Sequence, residues 1–306
     1  MINRLLIRIK VLQILYNFYH NSGMTGTQAI STLKLALDKS YQLYIHLCGL
    51  PLQVSHVSRK RLEREISKIA PEEKVVEILR GLSDNALIDC IEADEDFMAL
   101  YSTCAFNRDD MEEYLTKAVG AVVTKGEALD DEGRKDLDAS RQYWKDFYRS
   151  HILNSEDYRQ CLENISVYVN DDIDIVYTFV TKLFNGVTKE KSFSALIKPP
   201  YMGEAEEKFG PELLAKAMKH KDEYRDIISR YFKNWDRDRV SEMDFIILQL
   251  ALTEAIAFPS IATRVTINEY LNLARYYSSP KSTTFINGIL HGMMLDLKKQ
   301  GVILGE

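Results

Sequence analysis

Apolar residues recur three or four positions apart along most of this chain, and that spacing places them on one face of an α-helix. The pattern predicts a first helix over 3–20 and a second from about Thr27 to Cys48, before Gly49-Leu50-Pro51. It predicts further helices at 72–90, 110–124, 136–152, 156–169, 172–185, 212–232, 237–257, 265–277 and 280–299.

The composition supports an all-α fold. The 306 residues include only 14 Gly and 7 Pro, which is little material for the many tight turns of an all-β fold. The aromatic residues Tyr143, Trp144, Phe147 and Tyr148 share one stripe of the helix at 136–152. We expect this stripe to face a core rather than to stack on bases.

The net charge of −6 conceals two segments of opposite sign. Residues 1–70 carry ten Lys and Arg against three Asp and Glu, whereas residues 84–138 carry five against sixteen. Because a phosphate backbone responds to the local field, the basic segment is a candidate RNA surface. Its run Arg59-Lys60-Arg61 lies in a loop or on an exposed helix face, and the alternative is an ordinary solvated face.

The sequence contains no recognisable constellation for catalysis, a cofactor or a metal. Glycine-rich nucleotide loops are absent, the 6 His are scattered, and the 4 Cys form no C-x-x-C pair. Asp171, Asp172 and Asp174 cluster at a helix start, where carboxylates cap the helix and complement its dipole. We therefore expect a non-enzymatic binding protein without a cofactor or a metal.

The sequence also indicates a location. No stretch reaches the roughly 18 apolar residues that mark a membrane span, and no small-residue cleavage site follows the amino terminus. The cysteines read as reduced, mostly buried thiols, so we expect a cytoplasmic protein.

Two arginines interrupt the apolar face of the first helix. Arg4 and Arg8 lie one turn apart beside Val11 and Leu15, across the helix from its polar flank. Because unpaired guanidinium groups are costly to bury, we expect this end to project past the core with both exposed. They would then form a phosphate clamp, and the alternative is a salt bridge to the acidic segment 84–138.

The carboxyl-terminal third contains several residues with predicted fold roles. Trp235 is expected to anchor the core. Thr266 and Glu269 fit the S/T-x-x-E capping box of a helix start. Gly288 lies inside the last helix, where glycine costs about 1 kcal/mol relative to alanine, and it therefore indicates a close helix crossing.

The start of the last helix is a candidate RNA contact. Phe285 lies there, close to Lys281, Ser282 and Thr283. An aromatic side chain exposed at this place would stack on an unpaired base. A core position for Phe285 is the alternative.

Together these segments resemble the NusB family. The opening pattern is a basic helix running through Arg8 to Gln13-x-Leu15-Tyr16. The carboxyl-terminal motifs follow in family order: Trp235-x3-Arg239 with Asp244, Leu248-x-Leu250-Ala251-x2-Glu254, Ile267-Asn268-Glu269-x3-Leu273-Ala274-Arg275-x-Tyr277 and Phe285-Ile286-Asn287-Gly288-Ile289-Leu290. The position before the family's Phe is often basic, and here it is Thr284.

The resemblance implies a NusB-like helical bundle with an inserted helical region. Residues 1–20 would form the first helix of the bundle, 21–170 a helical insertion, and 171–300 the remaining core helices. The match is best over 225–295.

The resemblance also implies a function, which is transcription antitermination during ribosomal RNA synthesis. The family binds boxA RNA as a heterodimer with the ribosomal protein NusE, and joins NusA, NusG and RNA polymerase. Carried over to this chain, Arg4 and Arg8 would contact RNA phosphates. Phe285, with Lys281 and Ser282, would contact unpaired bases.

Two other classes of protein share some of these sequence features. Ribosomal RNA methyltransferases can carry a NusB-like domain, but this sequence has no Gly-rich cofactor loop and stops soon after the NusB-like segment. The other class is an interaction scaffold that has kept the fold and lost RNA binding. Its acidic segment 84–138 would then mimic or shield nucleic acid, or bind a basic protein.

Overall fold

The computed structural model describes residues 1–104, 106, 109–188, 190–232 and 240–303, with backbone alone at 109 and 110. Within these ranges the regular structure is helical, apart from one isolated antiparallel bridge between Thr188 and Lys191. The predicted all-α class is confirmed.

The helices are numbered in chain order. They are α1 (Arg4–His20), α2 (Gly26–Ile66), α3 (Glu73–Ser83), α4 (Ala86–Glu92), α5 (Glu95–Ser102), α6 (Asp109–Lys125), α7 (Asp131–Lys135), α8 (Leu137–Tyr148), α9 (Glu156–Ile165), α10 (Ile173–Gly186), α11 (Phe193–Leu196), α12 (Glu204–Lys219), α13 (Lys221–Ser229), α14 (Glu242–Ala257), α15 (Thr263–Tyr277) and α16 (Pro280–Lys299). A π-helical turn follows α8, and a 3-10 turn follows α9.

The chain folds into two compact units. We call Met1 with Asp38–Pro200 the middle unit, and Ile2–Leu37 with Tyr201–Glu306 the terminal unit. The predicted boundaries of core and insertion, at 20/21 and 170/171, stay a prediction.

Two helices lie at the centre of the terminal unit. α14 is buried on all sides from Asp244 to Ala255, and it packs against α1, α12, α13, α15 and α16. α1 is likewise buried from Leu6 to Leu12. A helix that is apolar nearly all round belongs in a core, so α1 does not project beyond the bundle.

The close helix crossing in this unit lies at Gly210 rather than at Gly288. A Cβ atom on Gly210 of α12 would lie 2.8 Å from Cγ2 of Ile7 on α1. At Gly288 nothing lies within 4 Å of the corresponding point, and the residue is exposed. The crossing predicted at Gly288 is therefore wrong, because that glycine faces outward.

The second helix does not end at Cys48, as the sequence predicted, but continues through Pro51. Proline removes the hydrogen bond to the carbonyl four residues earlier, which is that of Leu47. In the middle unit the Tyr148 hydroxyl donates to this carbonyl instead. This replacement hydrogen bond offsets much of the free-energy cost of a proline inside a helix, so the helix persists to Ile66. The basic run 59–61 consequently lies on this helix.

Two further predictions concern the middle unit. The aromatic stripe is confirmed as a core face, because Trp144, Phe147 and Tyr148 are buried. The capping role predicted for Asp172 is wrong. Its side chain makes no cap hydrogen bond to α10, and it accepts a 2.6 Å hydrogen bond from the Ser40 hydroxyl.

Two other predictions fall in the terminal unit. The single helix predicted at 212–232 is two helices, α12 and α13, which meet at His220. Trp235, the predicted core anchor, lies outside the described residues.

Substitutions at Gly210 and Gly288 test which of these glycines lies at the close helix crossing. We expect Gly210→Ala to lower the free energy of unfolding by about 1–3 kcal/mol, because the new methyl overlaps the stiff branched side chain of Ile7. The residue before Pro211 also disfavours helical geometry once it carries a Cβ. Urea unfolding followed by circular dichroism measures the change.

Gly288→Ala is the matched control. It adds a methyl in open space within a helix and should stabilise the protein by up to about 1 kcal/mol. Equal effects at the two glycines would contradict the assignment of the crossing.

Candidate nucleic-acid interface

A buried ionic cluster joins α1 to α14 and α15 in the terminal unit. Arg8 Nε and Nη2 donate to the two carboxylate oxygens of Glu254 at 2.7 and 2.8 Å. Arg8 Nη1 donates to Glu269 at 3.3 Å. The Thr266 and Tyr270 hydroxyls also donate to Glu254, at 2.9 and 3.2 Å. All the groups of this cluster therefore have partners, as a buried charge requires.

The pKa directions agree with this geometry. Burial by itself lowers the pKa of Arg8, but the hydrogen bond and charge of Glu254, with Tyr270 and Glu269, outweigh it and raise that pKa. Burial, together with the negative charge of Glu254, raises the pKa of the Tyr270 phenol well above its usual value. Both groups hold the protonated form that the cluster requires.

The predicted exposure of Arg8 is wrong, since the residue is only 2% exposed. The reason is that Glu254, which lies on the central helix α14, supplies the partner that makes burial possible. Neither Glu254 nor Glu269 belongs to the acidic segment 84–138, so the predicted alternative partner is wrong as well.

Arg4 differs from Arg8. Its side chain is 36% exposed, and its Nη2 lies 3.5 Å from a carboxylate oxygen of Glu206. The guanidinium also lies over the ring of Phe209, 5.3 Å from the ring centre. A half-exposed ion pair of this kind is weak. This ion pair therefore contributes little stability, and part of the Arg4 side chain faces solvent.

The capping box predicted at Thr266 and Glu269 is also wrong. α15 begins at Thr263, so Thr266 lies within its first turn and Glu269 in its second. Their side chains turn to the ionic cluster rather than to backbone N–H groups. The S/T-x-x-E pattern fits both arrangements, and only the position of Glu254 decides between them.

The predicted residues at the start of α16 differ in exposure. Lys281 is exposed and Ser282 is half-buried, with Ser279 capping the helix. Phe285 is only 6% exposed, and its ring centre lies 5.6 Å from that of Phe232. The core position that the sequence left open for Phe285 is therefore confirmed, because α16 turns this residue toward the core.

Among the described residues is an exposed aromatic side chain that the sequence motifs did not single out. Tyr276, in the last turn of α15, is 84% exposed, and Arg275 beside it is exposed as well. Tyr276 occupies the unspecified position of the L-A-R-x-Y pattern. A helical wheel would have revealed it, because Tyr270, Leu273 and Ala274 define the buried face, from which Tyr276 points away.

In the middle unit the segments of opposite charge pair with each other. Arg59 and Lys60 on α2 bind Glu92 and Glu112 at 2.8 and 2.7 Å. These partners belong to the acidic segment. The basic run is therefore partly neutralised within its own unit, which weakens it as an RNA surface.

The same unit contains a concavity of about 630 Å³ whose lining includes Asp89, Asp94 and Asp96. Asp94 accepts hydrogen bonds from the backbone of Phe97 and from the backbone and hydroxyl of Ser194, at 2.7–2.9 Å. Burial works against these bonds, but they prevail and lower the pKa of Asp94. This carboxylate joins α5 to α11 and has the bonding of a structural group.

Two features are absent from the described part of the chain. None of its helices is both long and apolar enough to cross a bilayer. It also contains no group of three or more His, Cys, Asp or Glu side chains arranged to hold a metal ion.

The terminal unit is thus a helical bundle closed by an internal arginine–glutamate cluster, with cationic and aromatic side chains exposed on α15 and α16. The NusB family model matches residues 173–295. Transcription antitermination protein NusB of Salinibacter ruber is 31% identical over 113 residues, which are 37% of this chain and 71% of that protein. The chain belongs to the NusB family.

Two other relatives carry the same name. The Bacillus subtilis protein is 33% identical over 97 residues, 31% of this chain and 74% of its own length. The Natranaerobius thermophilus protein is 44% identical over 78 residues, 26% of this chain and 54% of its own length. The chain thus spans only part of each relative. No solved structure matches the chain significantly.

Removal of one partner from the cluster should be strongly destabilising. We expect Arg8→Gln to lower the free energy of unfolding by about 3–5 kcal/mol, because Glu254 then loses its buried countercharge. Arg4→Gln is the matched control and should cost under about 1 kcal/mol, since its ion pair is half-exposed. Urea unfolding of the full chain measures both, and similar losses would contradict the structural role of Arg8.

Proposed function

We propose that this chain is a transcription antitermination factor that binds boxA-like single-stranded RNA together with the ribosomal protein NusE. It would act in ribosomal RNA transcription, in a complex with NusA, NusG and RNA polymerase. Support comes from family membership over 173–295 and from the names of the relatives. The proposed activity is binding rather than catalysis, and the proposed location is the cytoplasm.

The exposed cationic start of α16 is the observation that carries this proposal. Lys281 faces solvent beside the half-buried Ser282, within the region that matches the family. Lys281 would contact a phosphate, and the Ser282 hydroxyl a phosphate or base edge. Arg4 would contribute a further phosphate contact from α1. A few such contacts give weak, salt-sensitive binding, which a partner protein strengthens by adding surface.

Arg8 and Phe285 have a different place in the proposal. The sequence predicts direct RNA contacts for both, and those two roles stay predictions. In the described geometry Arg8 holds α1 against α14, and Phe285 packs the first turns of α16 on Phe232. Both residues therefore hold in place the helices α1 and α16 that carry the proposed RNA-binding residues.

RNA binding measured by fluorescence anisotropy tests the proposal. The probes are a labelled boxA-like single strand and a scrambled strand, with and without purified NusE, over a salt series. We expect tighter boxA binding with NusE, and loss of affinity in Arg4→Ala and Lys281→Ala. Each removed phosphate contact should reduce the slope of log affinity against log salt by about 0.7.

The control for these variants is Lys117→Ala, because Lys117 is paired with Glu113 in the middle unit and lies outside the basic segment 1–70. Absence of RNA binding under every condition would reject the proposal. The burial of Arg8 and Phe285 would then favour the second candidate, a scaffold that has kept the NusB fold without RNA binding.

A further inference from the structure

Tyr276 combines large apolar area with nearly full exposure. Its side chain is 84% exposed at the end of α15, whereas the nearby Tyr270 is completely buried and Tyr277 is half-buried. The ring is held on a regular helix rather than in a loop, so it is available to a ligand without rearrangement. A rigid, exposed aromatic face is the feature that single-strand binding proteins present to bases.

The chain around Tyr276 is unusual in its charge. No Asp or Glu occurs from Tyr270 to Leu295, although the protein has 45 acidic residues among 306. Arg275 and Lys281 are both exposed in this segment. Two acidic side chains that touch this segment are buried: Glu254 accepts a hydrogen bond from Tyr270, and Asp244 accepts one from Ser278. The exposed charges within this segment are therefore positive, in a protein of negative net charge.

The short segment between Tyr276 and Lys281 keeps the aromatic ring and the two cations close to each other. Lys281 is five residues from Tyr276, so their Cα atoms lie at most about 18 Å apart. Arg275 is adjacent, and its Nη1 donates to the side chain of Asn272 at 2.6 Å, which restrains the guanidinium at the surface. Along the sequence the aromatic residue thus lies between two exposed cations, an order that suits a base with its flanking phosphates.

We infer that Tyr276 is a stacking platform for an unpaired RNA base, with Arg275 and Lys281 binding the adjacent phosphates. This inference rests on the proposed RNA-binding function and adds to it the residue that holds the base. It names an exposed aromatic residue for stacking, whereas Phe285 is only 6% exposed. A protein partner would also use an exposed tyrosine, but the exposed cations of a segment without Asp or Glu favour a polyanion.

A fluorescent base analogue provides the test. The probe is the boxA-like RNA with 2-aminopurine substituted at one position at a time, titrated with the full chain in the presence of NusE. Stacking should quench the fluorescence at one or two positions. Tyr276→Ala should abolish that quenching and weaken binding about five- to tenfold, and Tyr276→Phe should retain both.

Two controls make the readout specific. Tyr276→Leu keeps apolar area without an aromatic face and should behave like Tyr276→Ala. Met202→Ala removes another exposed apolar side chain from the same unit, 71% exposed, and should change nothing. Thermal unfolding of each variant checks that the fold is intact.

The outcomes separate the two proposals. If the wild-type chain binds the RNA but Tyr276→Ala binds and quenches equally well, the inference is wrong and the RNA-binding function stands. If Tyr276→Leu matches the wild type, the contact is apolar rather than a stack, and the inference is again wrong. If no variant and no wild-type sample binds, the function fails and the inference fails with it.

Discussion

The terminal unit depends on the bidentate pair between Arg8 and Glu254. The pair joins the two central helices, which lie 246 residues apart in sequence. Thr266, Tyr270 and Glu269 complete it from α15, so three helices share one hydrogen-bonded network. Such a network tolerates few alternative registers, because a shift of any helix would leave a buried charge or hydroxyl without its partner.

This constraint explains why two charged residues are buried, which the sequence pattern alone does not reveal. Arg8 and Glu254 lie within helices that are otherwise apolar on nearly every side. From α1 alone, an arginine in an apolar arc predicts an exposed helix end, since burial without a partner is too costly. The partner lies on another helix, and no local spacing reveals it. The sequence therefore predicted the helix correctly and placed its arginine wrongly.

Other differences between expectation and structure have the same origin. The periodicity located most of the helices, because each one buries a continuous apolar stripe. It failed where a distant side chain alters a local rule. Tyr148 replaces the hydrogen bond that Pro51 removes from the helix. The close helix crossing lies at Gly210, which contacts Ile7, and not at Gly288. The exposure of Lys281 was predictable from the sequence, because this residue lies at the start of a helix. The exposure of Tyr276 was missed, because a motif treats this position as variable.

The long separation between Arg8 and Glu254 has a consequence for biosynthesis. A ribosome adds about 5–20 residues per second, so α1 emerges roughly 10–50 s before α14. During that interval the middle unit, which ends at Pro200, can complete its own contacts, whereas α1 must wait with its apolar surface unsatisfied. The terminal unit can therefore mature only after α14 has been synthesised.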